Sequence, residues 1–157
     1  MQLGAKQDLN VPADFLFSEL TDYPAFEALL LAAGAHVERL DGLEDLAAGM
    51  SWLIEGHFRG KHRKVNIDLS DMHMNETLIY RSNSKDMSAE ITLELIELSK
   101  EQTRLAVDVR PTANTISARL ILQSAKLARK SIERRFNGRL DDFCTRIEDK
   151  YHEHSAG

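Results

Sequence analysis

Four of the six histidines, His36, His57, His62 and His73, are the side chains best suited to binding a metal or moving a proton near neutral pH. If Phe58 and Lys61 face each other across a turn at Arg59-Gly60, His57 and His62 fall directly opposite, within reach of one ion. They then share a polar face with Glu55, Arg59, Lys61 and Lys64, whose cations oppose metal binding, and no His-x-x-Glu-His spacing occurs. These histidines read as a solvated face, and neither a metal nor a cofactor is expected. Acid–base catalysis would need a buried ionisable group with a displaced pKa. Glu55, Tyr80, Arg81 and Asp108 are of suitable type but form no recognisable pair, and each reads as surface or rim. Cys144, the single cysteine, falls on the apolar side of a helical stretch and reads as an inert core thiol. No catalytic residue is assigned.

Binding by apolar surface is the other chemistry on offer. Trp52, Ile54, Phe58, Ile67, Leu69, Ile79, Ile91, Leu93, Leu95, Leu105, Val107 and Val109 recur at strand spacing, and Leu120 and Leu127 join them from a helix. Singly, each is ordinary core; together they could line a cavity. Tyr80, Arg81, Asn83 and Arg63 are its candidate polar contacts. The strand holding Leu78, Ile79 and Tyr80 is apolar on both faces, so either face could turn inward.

These residues need elements to position them. Leu3, Ala5, Leu9 and Val11 alternate with polar neighbours as in a half-buried strand. Pro12 suits the first turn of a helix, and Phe15, Leu16 and Leu20 with Phe26, Leu29 and Leu30 make two short helices broken near Asp22-Tyr23-Pro24 and stopped at Gly34. From Val37 the chain alternates again. In the hairpin register above, Ile54 faces Val65, Trp52 faces Ile67 and Met50 faces Leu69, so both apolar rows share one side. Further strands are predicted at 77–83, 89–98 and 104–110, the last closed by Pro111. Residues 115–151 contain no proline, and Ile121, Ala125, Ala128, Ile132, Phe136, Leu140, Phe143 and Ile147 recur every three or four residues, which predicts one long helix with a bend at Gly138. The fold class is therefore α+β: one strand, two short helices, about six consecutive strands and a long C-terminal helix. An antiparallel sheet of six to seven strands, strongly curved, would leave a gap against such a helix.

The 157 residues carry an ordinary globular balance, 43% apolar and 29% charged, and read as one domain spanning 1–157. The net charge of −5 is uneven: −8 over 1–55, +4 over 56–64, −4 over 65–110 and +3 over 111–157. A net acidic chain with only local basic patches excludes duplex nucleic acid as the main partner. Arg119, Lys126, Arg129, Lys130, Arg134, Arg135 and Arg139 form a basic run on the helix, which reads as a solvated face or as a docking stripe for an acidic protein or anionic lipid head groups. The hairpin cluster Arg59, Lys61, Arg63 and Lys64 would extend it. No apolar leader segment stands at the N-terminus, and the run 28–33 is too short to cross a bilayer, so a cytoplasmic protein is expected.

The element order, with Val11-Pro12-Ala13-Asp14-Phe15-Leu16-Phe17 leading to Leu20-Thr21-Asp22-Tyr23-Pro24-Ala25-Phe26-Glu27, resembles the START-like, or SRPBCC, superfamily over nearly the whole chain. The resemblance implies a helix-grip fold, with a curved antiparallel sheet around the C-terminal helix and a deep pocket between them. Members include lipid and hormone carriers, quinone-binding proteins and polyketide cyclases or aromatases. It carries over no catalytic residue. Its implication is that the apolar set above, with Tyr80 and Arg81, lines a pocket for a hydrophobic small molecule. A cyclase using the same pocket, or a docking module using the basic helix, are the alternatives.

Overall fold

A computed structural model describes residues 1–58 and 60–156. In chain order its elements are β1 (Leu3–Leu9), α1 (Ala13–Leu20), α2 (Tyr23–Ala32), β2 (His36–Arg39), β3 (Ser51–Phe58), β4 (Lys61–His73), β5 (Thr77–Asn83), β6 (Met87–Ser99), β7 (Gln102–Ala113), α3 (Ile116–Leu127) and α4 (Arg129–Ala156). The seven strands form one antiparallel sheet in the order β1-β7-β6-β5-β4-β3-β2. This is the helix-grip α+β architecture, with α4 lying against β1 at one end of that order and α2 against β2 at the other.

Local chemistry sets the elements. Pro12, extended at φ −65°, leads into α1, and the Asp22 side chain caps α2 by accepting from the Ala25 N–H. Gly34, at φ +90°, ends the second helix where a side chain would be strained. In the β3–β4 hairpin Trp52 faces Ile67, Ile54 faces Val65 and His57 faces His62, the register that aligns both apolar rows. Arg59, at its turn, lies outside the described residues. An irregularity between Leu69 and Asp71 adds one residue to β4, so that Leu69 opposite Tyr80 and Met72 opposite Leu78 both keep their inward aspect. Such bulges bend and twist a sheet locally.

The core gathers around α1. Leu9, Val11, Leu16, Leu69, Leu78 and Leu105 are fully buried there, joined by Phe17, Leu95, Cys144 and Ile147. Thr103 is buried among them, and its hydroxyl donates to the Val11 carbonyl at 2.9 Å.

Two expectations are corrected. β7 does not stop at Pro111; it continues to Ala113, with Pro111 opposite Ala89. Its pairing with β1 ends at Val109, so beyond that point β7 has a partner on one side only, where a residue without an N–H is tolerated. The C-terminal helix is not continuous either. It breaks at Ala128, whose N–H reaches back two or three residues to Lys126 and Ala125 rather than four, while Gly138 stays inside α4. The apolar repeat keeps phase through the break, so periodicity alone cannot reveal it. No helix among the described residues is long and apolar enough to cross a membrane.

Candidate functional site: an apolar cavity under the second helix

Between α2, α4 and the sheet lies a cavity of about 360 Å³. The sheet contributes Val37, Trp52, Ile54, Ile67, Tyr80, Leu93, Leu105 and Val107 to its walls. Helix α2 supplies Tyr23, Phe26, Glu27 and Leu30, with Leu20 at the end of α1 and Leu140 and Phe143 from α4. Positions 23, 26, 27 and 30 are the i, i+3, i+4, i+7 face of a helix, which is why one short element can roof the site. No residue of α2 is fully buried, so this roof spends its apolar face on the cavity rather than on packed core.

The polar groups in these walls satisfy one another in two pairs. The hydroxyls of Tyr23 and Tyr80 lie 2.8 Å apart, and the Trp52 indole Nε1 donates to Glu27 Oε1 at 3.0 Å. Tyr23 and Glu27 stand one helical turn apart, so the two pairs tie α2 to β5 and β3. The Tyr23 ring packs edge-on against Trp52 at 4.7 Å between centroids, and the Arg39 guanidinium stacks on the same indole at 5.3 Å. Arg39 in turn donates to Asp41 at 2.9 Å and holds its carboxyl below the usual range. Burial pushes the phenols of both Tyr23 and Tyr80 upward, so both are protonated at neutral pH.

A shared hydrogen bond between two phenols uses one of their two hydrogens. The other is left for an acceptor on a guest molecule. The site thus offers one phenolic donor within largely apolar walls that also hold the Glu27 carboxylate, a chemistry of recognition.

Seven of the residues singled out from sequence meet here: Trp52, Ile54, Ile67, Tyr80, Leu93, Leu105 and Val107. Alternation along β5 turns Tyr80 inward, which sends Ile79 and Arg81 to the opposite face, where Arg81 approaches Glu90 at 3.7 Å. Leu69 and Leu95 are sealed in the core around α1, while Ile91 and Val109, in the same inward ladder as Tyr80, do not reach the cavity. Phe58 is exposed at the hairpin end, as are Arg63 and Asn83. Leu120 and Leu127 are also exposed: α3 turns Ala118, Leu122 and Ala125 inward and leaves Ile116, Leu120, Ile121 and Leu127 outside. The roof residues Tyr23, Phe26, Glu27 and Leu30 were not assigned to the site from sequence, although their spacing is a one-face helical pattern.

The remaining candidates lie elsewhere. His57 and His62 face each other with ring centroids 5.5 Å apart, and His62 contacts Glu55 at 3.2 Å on the exposed side of the hairpin. Among the described residues no three His, Cys, Asp or Glu side chains are grouped to hold a metal. Asp108 pairs with Arg110 at 2.9 Å, away from the cavity. Cys144 is buried, and desolvation pushes its thiol up to about 12, which leaves it inert at neutral pH.

No family model and no curated protein matches the chain. Solved structures do match its fold. The Zhui aromatase/cyclase from a Streptomyces species is similar with a TM-score of 0.68 at 14% identity, covering 96% of this chain and 95% of that one. A START superfamily protein from Mycobacterium smegmatis is similar with a TM-score of 0.57 at 12% identity, over 85% and 95% of the two chains. A Thermus thermophilus protein is similar with a TM-score of 0.60 at 15% identity, over 94% and 97%. These likenesses show a START-like, helix-grip fold.

Proposed function

We propose that this START-like chain binds a hydrophobic small molecule, of lipid, quinone or polyketide-like type, non-covalently in the cavity between its sheet and the helices α2 and α4. The observation that carries the reading is a cavity of about 360 Å³ whose walls are apolar apart from the Tyr23–Tyr80 phenol pair and the Trp52–Glu27 pair. Its volume lies within the usual range of small-ligand sites.

The energetics point to a compact guest. An apolar ligand burying roughly 300 Å² gains about 7 kcal/mol, while micromolar affinity needs about 8 kcal/mol net. One hydrogen bond contributes about 1 kcal/mol. The margin is narrow once ordering costs are included, so a rigid ring system with one carbonyl or hydroxyl acceptor suits the site better than a flexible chain.

The test is uptake of an environment-sensitive dye and its displacement by a panel of ring ketones, quinones and fatty acids. Saturable uptake at one site, displaced best by rigid carbonyl compounds, supports the reading. Absence of uptake across the panel overturns it.

A cyclase acting on a polyketide-like chain is the second reading, and Glu27 favours it. It is the one carboxylate among the cavity-lining residues, one helical turn from the phenol pair. Turnover that depends on that carboxylate would be its signature.

A further inference from the structure

Helix α3 carries four of its five large aliphatic residues exposed, Ile116, Leu120, Ile121 and Leu127, with only Leu122 half-buried. Ala118 is 1% exposed, with Leu122 and Ala125 half-buried beside it, where α3 rests on β7 and α4. At about 100° per residue these three share one face. Ile116, Leu120 and Leu127 fall within about 40° of each other on the opposite face. They are 76%, 58% and 92% exposed; Ile121, about 100° round the helix from Leu120 and beside the inward face, is 61% exposed.

The orientation is anchored. Thr115 caps the helix by accepting from the Ala118 N–H at 3.1 Å, and the Asn114 side chain before it donates to the Ser84 carbonyl and the Ser88 hydroxyl. The outward apolar ridge is thus a fixed feature of the surface.

Charge selects what covers it. Residues 111–132 carry no acid, while Arg119 and Lys126 border the ridge and Arg129 and Lys130 follow it, all exposed. Among the described residues Arg129 reaches Glu133 at 2.7 Å, whereas no carboxylate pairs with Arg119, Lys126 or Lys130. A second copy packed on this face by twofold symmetry would bring two sets of the same bases together. An anionic surface with an apolar interior meets both requirements: acyl chains accept the aliphatic ridge and head groups meet the bases.

We propose that α3 is a peripheral docking helix for anionic lipid bilayers, with Ile116, Leu120 and Leu127 inserted at the interface and Arg119, Lys126 and Lys130 at the head groups. The acidic segments, −8 over 1–55 and −4 over 65–110, disfavour contact with such a surface, so contact through α3 is also orienting. The inference does not rest on the cavity or its ligand.

The experiment is flotation of the full chain with phosphatidylcholine vesicles and with phosphatidylcholine–phosphatidylglycerol vesicles, at low and high salt. The wild type is expected to float with the anionic vesicles only, and less at high salt. Leu120→Glu with Leu127→Glu, and separately Arg119→Glu with Lys126→Glu, are expected to weaken binding about tenfold or more. All four positions are exposed, so both variants should keep the wild-type melting curve and dye uptake. If the leucine variant melts differently, the charge variant decides. Failure to float, equal flotation with neutral vesicles, or flotation unchanged in the charge variant overturns the proposal. So does sedimentation showing a wild-type dimer, dissolved by the leucine variant, that does not bind vesicles. Lost vesicle binding with dye uptake retained would leave the cavity reading intact, and the converse would leave this one intact.

Discussion

The phenolic oxygens of Tyr23 and Tyr80 sit 2.8 Å apart although their residues are 57 positions apart in the chain. One belongs to the helix that roofs the cavity and the other to the middle strand of the sheet beneath it. Their contact defines both the polar end of the site and the attachment of the roof.

Replacing either tyrosine by phenylalanine should therefore cost stability, and replacing both should also change selectivity. Tyr80→Phe removes one partner and leaves the other hydroxyl half-buried without its bond, a loss of about 1 kcal/mol. A double-mutant cycle with Tyr23→Phe should return a coupling of similar size by thermal or urea unfolding. In the double variant Tyr23→Phe/Tyr80→Phe, which removes both phenolic hydrogens, affinity for carbonyl-bearing ligands should fall more than affinity for hydrocarbons in dye displacement. Equal losses for both would show that the pair does not read the ligand.

Filling the cavity should remove binding while sparing the fold. Leu93→Trp places a larger ring in space that is empty in the structure, so dye affinity should drop at least about tenfold with unfolding free energy altered by about 1 kcal/mol. Retained uptake would put the binding site somewhere else.

Two leucines of the same expected role should behave oppositely. Leu69→Ala empties a fully buried position and should cost about 2 to 5 kcal/mol, whereas Leu127→Ala, at an exposed position, should stay within about 0.5 kcal/mol of wild type. Urea denaturation of both variants checks the difference.

Alkaline pH should unfold the protein through its buried weak acids. Burial raises the pKa of Tyr23, Tyr80 and Cys144, so the unfolded chain releases these protons first. The stability they contribute is complete below the unfolded values, 9.0 for the thiol and 10.0 for the phenols, and is lost as pH rises past them toward the folded values. Melting temperature should fall from about pH 9 upward, and Cys144→Ala should flatten the first part of that fall. The thiol should react with a disulfide reagent only after denaturation.

Glu27→Gln separates carrier from cyclase. The amide keeps an oxygen to accept from Trp52 Nε1 but cannot take a proton. A carrier should retain its dye affinity in this variant. An enzyme should lose turnover with binding preserved, measured on a polyketide-like chain.

Much of the frame was legible in the residue order. The hairpin register at Trp52, Ile54, Ile67 and Val65 followed from placing two apolar rows on one side, and strand 77–83 appeared with its expected bounds. The START-like resemblance at Val11 to Glu27 matches the fold that the similar structures show. Gly138 lies inside α4, because a glycine weakens a helix without obliging it to break, and the break at Ala128 has neither glycine nor proline to announce it.

The sequence by itself determined which residues alternate, which recur at helical spacing and where charge collects, because those are properties of near neighbours along the chain. Only the tertiary structure decided that Tyr80 rather than Arg81 turns inward, that Tyr23 and Glu27 complete the cavity, and that Leu120 and Leu127 face outward. Those outcomes depend on which surface each element meets, and the partners that supply it lie tens of residues away.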